Sequence, residues 1–596
     1  MCSSAVVTPI AGLIGFLRLE GDRAMHDVVI RGGQIVDGSG KPRVSADVAI
    51  DGGRVVEIGK ISDSGRTTID ADGRIVAPGF IDVHTHLDVQ GFWDPTLSPS
   101  PLHGVTTALG GNCGFSVAPL NDQAGDYLMR MLSRVEGMPL ESLEQGVPWD
   151  WKTTAEYLDR LDGTLAINTA FMVGHSALRR VVMGPEATER VATESELEAM
   201  KELLRAGLAA GGLGFSSTWA QSHHDADGKP VPSRFASADE LIALSAVAGE
   251  FVGTSLEFLP VIPARGGFSD EIINLMADMS AAAQRPLNWN VLTVVARTLD
   301  DAKAKLAASD VARAKGGKVV GLTMPDNPPA RFSFLAGFVL DMVPGLHDFL
   351  FLPPAERLAI LRDPVRRAEL RRKAEEPSDF GHLVNWPTRQ IIETFSPETK
   401  QYAGRQVGEI AAEQGRDPFE TFMDIVVADE LKTTFTNGVH APTREDWLAR
   451  GEIWRDPRAV IGASDAGAHL DMMEFFSYST MLLEQGVREQ QVIGLEEAVR
   501  LITDVPAKLY GLRDRGRVEP GAIADVVVFD EHTIARQPVE TRFDLPGGAG
   551  RLYGEADGVG HVLVAGVEIA RDGKYTGDLA GRMLRSGTDT YTASLD

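Results

Sequence analysis

The run Ala77-Pro78-Gly79-Phe80-Ile81-Asp82-Val83-His84-Thr85-His86-Leu87-Asp88 carries two histidines one residue apart at the end of an apolar stretch. Ile81 and Val83 alternate with Asp82, the pattern of a strand, and residues two apart on a strand point the same way. His84 and His86 can therefore grip one metal ion. The alternative is a pair of histidines satisfied in a loop; the Pro-Gly break before the strand and the acidic neighbours favour metal. Cys113 follows another apolar strand within Gly111-Asn112-Cys113-Gly114, where glycine permits close backbone approach. As a thiolate it is a strong zinc ligand; as a thiol it is a small buried hydrophobe. Asp465 follows Val460-Ile461-Gly462-Ala463-Ser464 and reads either as a carboxylate at a strand end or as the N-cap of a following helix. His175 sits in Gly174-His175-Ser176. His223 and His224 are adjacent in a loop near Trp219, so at most one of them can face a given metal.

The elements that must position these residues follow from patterning. Residues 25–76 and 517–575 share a texture of short strands broken by Asp-Gly and Gly-Gly turns, which predicts one small β-sandwich domain built from both chain ends. Between them, apolar runs alternate with amphipathic helices, the signature of a parallel α/β sheet. Candidate strands are 81–83, 106–109, 166–173, 213–216, 251–258, 287–292, 319–323 and 460–464, which suits a TIM-like (β/α)8 barrel over 77–516. Such barrels place catalytic residues at strand C-termini, where His84, His86, Cys113, His175, Glu257 and Asp465 fall. A mostly helical insertion of about 325–457 is expected over the barrel mouth, and residues 576–596 form a C-terminal tail.

Composition narrows the class. Of 596 residues, 43% are hydrophobic and 24% charged, which is globular composition and excludes a disordered chain. A net charge of −26 leaves no basic face for nucleic acid. Two cysteines, Cys2 and Cys113, are too few for a disulfide framework, which points to reducing cytoplasm. The apolar stretch Ala5–Leu17 is too short to span a bilayer. Residues 1–24 are expected to be an extra, unstructured N-terminal segment, with Met25 as the natural start.

With these motifs placed, the chain resembles the amidohydrolase superfamily, and within it the N-acyl-D-amino-acid deacylase (D-aminoacylase) branch. The resemblance rests on APGFIDVHTHLD, GVTTALGGNCGFSVAP (104–119), GHSALRR (174–180), GLGFSS (212–217), GASDAGAH (462–469) and GAIADVVVFD (521–530). It implies a metal-dependent barrel with a β-sandwich from both termini. It also implies that Asp465 is the last-strand aspartate that touches metal and takes a proton from water as general base. His175 matches a third-strand histidine near the substrate.

The chain departs from the branch after strands five and six, where Gly253–Pro260 and Leu287–Leu292 contain no histidine. His84, His86, Cys113 and Asp465 remain as a complete N, N, S, O set for one Zn²⁺ ion. The branch's second metal position has only Glu257 and the carbonyls of Asn288 or Asn290 to draw on. Glu257 equally reads as a general acid/base or as a buried acid paired with an arginine. Catalysis at four protein ligands requires one of them, Asp465 being the candidate, to bind loosely or the coordination to expand.

The branch's lysine and its His-Pro-Arg element are also replaced, the latter by His469-Leu470-Asp471. Arg179, Arg180 or Arg265 would have to hold a substrate carboxylate, and Trp219, Trp289, Phe115 and Phe258 read as pocket or core. The expected function is metal-dependent hydrolysis of a small-molecule amide, an N-acyl-D-amino acid or a related compound, with no nucleic-acid or membrane partner. Homo-oligomers are left open. The alternative is a divergent relative lacking the second metal site, with lyase-type or ligand-binding function, and a weaker third reading is a scaffold subunit.

Overall fold

The computed structural model describes residues 25–326, 330–335, 339–378, 380–437 and 441–596; the N-terminal segment expected at 1–24, with Cys2, lies outside the described residues. The chain opens with five strands, β1 (Met25–Ile35), β2 (Val44–Asp51), β3 (Arg54–Gly59), β4 (Ser64–Asp70) and β5 (Ile75–Pro78). β2 and β3 form a hairpin over Gly52-Gly53, both at positive φ (55° and 75°), the backbone such a two-residue turn requires.

Parallel strands follow: β6 (Phe80–Asp82), β7 (Val105–Gly110), β8 (Asn168–Phe171), β9 (Val173–Gly174), β10 (Gly214–Thr218), β11 (Ser255–Leu259), β12 (Pro286–Trp289) and β13 (Lys318–Thr323). A short antiparallel pair, β14 (Gln390–Glu393) and β15 (Thr434–Thr436), precedes β16 (Ala459–Ile461), which pairs in parallel with β13. These strands make two arcs, β6-β7-β8 and β9-β10-β11-β12-β13-β16. One residue, Met172, separates β8 from β9. At the other seam, Thr85 beyond β6 bridges in parallel to Ala466 beyond β16, and Asp465 N donates to His84 O (2.9–3.0 Å class of bond, 3.0 Å here). β7 and β10 are buried along their whole length, as strands covered on both faces are, although Ser216, Ser217 and Thr218 make β10 largely polar in sequence. The last strand ends at Ile461, earlier than expected, because the chain turns into left-handed backbone at Ala463 (φ 77°) and Asp465 (φ 49°).

The C-terminal strands β17 (Val526–Phe529), β18 (Ala535–Arg536), β19 (Glu540–Arg542), β20 (Arg551–Tyr553), β21 (Ala556–Asp557), β22 (Val559–Val564), β23 (Val567–Arg571) and β24 (Lys574–Tyr575) return to the first ones. β17 pairs antiparallel with β5, Val528 facing Val76, and one sheet runs β24-β23-β22-β17-β5-β1-β2-β3 with β4 beside β1. The C-terminal tail, residues 576–596, lies back along the barrel. Met583 bridges Thr169, Leu584 N donates to Thr169 O (2.7 Å), and Tyr591 N donates to Gly511 O (2.8 Å).

Within 325–457, Phe332, Phe334, Phe349, Trp386, Phe422 and Phe435 share an apolar core of their own. The helix Arg444–Trp454, which the 325–457 boundary assigns to the insertion, packs Ala449 and Ile453 into the barrel-side core with Leu306 and Trp289. Among the described residues no helix is long and apolar enough to cross a membrane.

Candidate metal centre

His84 and His86 leave the end of β6 with their rings 5.4 Å apart, and their ligating nitrogens and Cys113 Sγ all lie within 4.8 Å of one another. His84 Nε2 is 3.5 Å from Cys113 Sγ. Asp465 Oδ1 approaches His84 Nε2 at 3.2 Å and His86 Nε2 at 3.8 Å. The loop after β7 is clamped to deliver the thiol. Gly111 has φ 73°, and a Cβ there would stand 2.4 Å from Met172 O, so no other residue fits. Ser216 Oγ donates to Gly111 O (2.5 Å) and accepts from Gly114 N (3.1 Å). Glu257 Oε2 accepts from Cys113 N (2.8 Å), and Asn112 Nδ2 donates to Thr85 O and Leu109 O. Cys113 itself sits at φ 54°, a strained conformation for a residue with a Cβ and one that this clamping sustains.

The electrostatics are those of a site built around a cation. Burial raises the Cys113 thiol well above its ordinary range, and Glu257, Glu136 and Asp465 push it further. Burial also lifts Glu257 to about 7 and lowers His86 to about 3. Burial opposes charge on His84 too, yet the adjacent Asp465, with Glu257 and Asp82, leaves its pKa raised. Asp465 is pushed up by burial but held below the usual carboxylate range by His84, His86 and His469. Buried His84 Nδ1, Glu257 Oε1 and Asn290 Oδ1 have no hydrogen-bond partner among the described residues. Imidazole, thiol and carboxylate donors of this kind, at this spacing, fit Zn²⁺, whose charge would stabilise the thiolate and offset the buried carboxylates.

Other expected residues divide. Asn290 joins the cluster, its Nδ2 3.3 Å from His84 Nε2 and 4.0 Å from Cys113 Sγ. Asn288 does not: its Nδ2 donates to Leu256 O and to Tyr510 Oη (2.8 Å). Glu257 is not paired with an arginine; the charges acting on it are His84 and Asp465. The structure places His175 and Arg179 in a buried network with Glu240. His175 bonds Ser217 Oγ (2.9 Å) and Glu240 Oε1 (2.8 Å), and Arg179 Nη1 donates to both Glu240 oxygens (2.5 and 2.7 Å), all buried. Adjacent residues on a strand face opposite ways, so Ser216 serves the Cys113 loop while Ser217 turns outward to His175. Trp219 stands edge-on to Phe258 (5.8 Å) in the outer core, and Trp289 packs there too. His223 is buried within electrostatic reach of His469, His86 and Asp465, bonded to Thr218 Oγ1 (3.0 Å) and against the Phe115 ring. Arg180 stacks on Tyr127, and Arg265 is exposed beside Asp301.

Two residues join the site that patterning does not single out as members. Glu136, capping the helix Ala124–Val135, puts Oε1 3.6 Å from His86 Nδ1 and Oε2 3.9 Å from His469 Nε2. The one local signal is an acid placed before Gly137 at the end of an amphipathic helix.

A family profile described as "Amidohydrolase family" matches residues 67–378 and 385–570. The D-aminoacylase of Alcaligenes xylosoxydans xylosoxydans is 27% identical over 583 residues, 95% of this chain and 99% of that one. A D-aminoacylase crystal structure described by its binuclear metal centre, with one-metal activation and second-metal attenuation, gives a TM-score of 0.64 at 26% identity, covering 94% of this chain and 100% of that one. The N-acyl-D-glutamate deacylase from Bordetella bronchiseptica, in complex with zinc and a phosphonate mimic of the tetrahedral intermediate, gives 0.62 at 27% identity over the same shares. The fold is accordingly the α/β fold of these proteins, and the chain belongs to the amidohydrolase family, whose members hydrolyse carbon–nitrogen bonds other than peptide bonds.

Proposed function

We propose that this protein hydrolyses an amide bond of a small N-acyl compound at a single Zn²⁺ held by His84, His86, Cys113 and Asp465. The observation that carries the reading is the convergence of two imidazoles and one thiol within 4.8 Å, with Asp465 Oδ1 against both rings. When bound, such an ion polarises a carbonyl and acidifies a water molecule. Asp465 is ionised at neutral pH, and its Oδ1 accepts the proton of the attacking water and returns it to the leaving nitrogen. Glu257 fixes the Cys113 backbone through Oε2 and keeps Oε1 free to accept a hydrogen bond. The D-aminoacylase and deacylase relatives support amide hydrolysis, and the strand arcs with their two short seams support a closed (β/α)8 barrel beneath the site. Residues 25–76 and 517–575 are read as its accompanying β domain. A thiol ligand suits a reducing compartment such as the cytoplasm.

One ion is favoured over two because, among the described residues, His84, His86 and Cys113 are the one group of such ligands whose donor atoms converge, and one oxygen of Glu257 is engaged by the Cys113 backbone. Metal analysis of the purified protein tests this: one zinc per chain, lost in Cys113→Ser and retained in Glu257→Gln, is expected. Two zinc ions per chain, or none after zinc reconstitution, would overturn it.

A further inference from the structure

Four strands beside the centre share one row of register partners. Ser216 on β10 pairs with Gly174 on β9 and with Glu257 on β11, and Glu257 pairs with Asn288 on β12. The flanking Leu256, Phe258, Leu287 and Trp289 lie in the outer apolar core. Alternation therefore turns Ser216, Glu257 and Asn288 to the inner face, where all three are buried. Inner faces of such strands are ordinarily filled by branched apolar side chains, and a buried polar group costs free energy unless it is hydrogen-bonded. Among the described residues no side chain of this row bonds another of the row.

Their bonds go to the two segments that carry metal ligands. Ser216 Oγ donates to Gly111 O (2.5 Å) and accepts from Gly114 N (3.1 Å), while Glu257 Oε2 accepts from Cys113 N (2.8 Å). The loop can come this close because the row begins with Gly174. A Cβ there would stand 2.5 Å from Ser116 N and 2.7 Å from Gly114 O. At the far end, Asn288 Nδ2 donates to Tyr510 Oη (2.8 Å), and Tyr510 Oη donates to Val83 O (3.3 Å). That carbonyl belongs to the peptide unit leading into His84. Resting on the metal reading above, we infer that Ser216 and Asn288 are positioning residues of the metal centre, Ser216 through the Cys113 loop and Asn288 through Tyr510 and Val83. The row sets the thiol against the imidazole by holding the backbone that carries each.

Zinc affinity of the full chain, measured by chelator competition, tests this. Ser216→Ala and Tyr510→Phe are each expected to weaken binding about 10- to 100-fold, the usual effect of removing a group that orients a metal ligand. Ser217→Ala, one position along and facing the outer core, should change it by less than about threefold, and so should Ser216→Ala made in a Cys113→Ser background, where no thiol remains to be positioned. Cobalt-loaded Ser216→Ala should lose thiolate-to-cobalt absorption that Tyr510→Phe keeps. An affinity unchanged in either variant, an equal loss in Ser217→Ala, a Ser216→Ala loss of the same size without Cys113, or equal absorption in the two cobalt forms overturns the inference and leaves the metal reading standing. If Ser216→Ala does not fold, Tyr510→Phe decides, and an unchanged affinity there overturns it. A wild-type chain that takes up no zinc sinks the metal reading and this inference with it.

Discussion

A thiol that burial and three carboxylates hold protonated ionises when a cation joins it, so metal uptake at Cys113 releases a proton. Serine cannot follow, and Cys113→Ser is expected to weaken zinc binding by at least about 100-fold, the upper end of what losing even a ligand's hydrogen-bonding partner costs; competition with a chromophoric chelator measures it. Asp465→Asn keeps an oxygen near both imidazoles but removes the base. Its kcat should fall by about 10²- to 10⁴-fold with the protein folded, and an unchanged kcat would remove Asp465 from the proton path. The His84–His86 pair, Cys113 and Asp465 were legible because each closes a local apolar run at a strand end. Glu136 was not, because its chemistry comes from meeting His86 and His469 across the fold, and a carboxylate at a helix end is ordinary in sequence.

At the scale of elements, β10 divides its labour by alternation: Ser216 inward to the Cys113 loop, Ser217 outward to His175. Glu240, on the helix Ala238–Gly249, completes the outward side with His175 and Arg179. Glu240→Ala leaves a buried guanidinium and imidazole without their acid, and should cost about 3–5 kcal/mol in urea unfolding. KM of the folded fraction should not change; a raised KM would return His175 and Arg179 to the pocket. The partnership of those two with Glu240 was not legible in Gly174-His175-Ser176, because Glu240 is some sixty positions away and nothing local announces it. Parallel strands such as Lys318–Thr323 were easier, since burial on both faces writes them as largely apolar runs. The helix Arg444–Trp454 shows the limit: an amphipathic pattern states that a face is buried, not which core receives it.

Over the whole molecule, the barrel and the C-terminal strands are joined by His103, whose Nδ1 meets Thr480 Oγ1 (2.8 Å) and whose Nε2 meets Gly554 O (3.2 Å). Burial lowers its pKa from 6.5 to about 4. A histidine kept neutral in the fold contributes stability that is full above pH 6.5 and is lost as pH falls through about 4, because the unfolded chain takes the proton first. That amounts to about 3 kcal/mol. Urea midpoints at pH 7, 5 and 4 should fall more steeply for the wild type than for His103→Gln; parallel curves would place the acid sensitivity elsewhere. The sheet that carries β5 against β17, and the segment that lays Met583 along Thr169, also fix an order of events during synthesis. Val76 and Ala77 emerge from the ribosome hundreds of residues before Val527 and Val528 exist to cover them. The first barrel strands likewise wait for residues 581–591. A chain stalled at residue 575 should therefore remain protease-sensitive and chaperone-bound, while one that also presents residues 581–591 becomes resistant: this enzyme's first barrel strands are covered last.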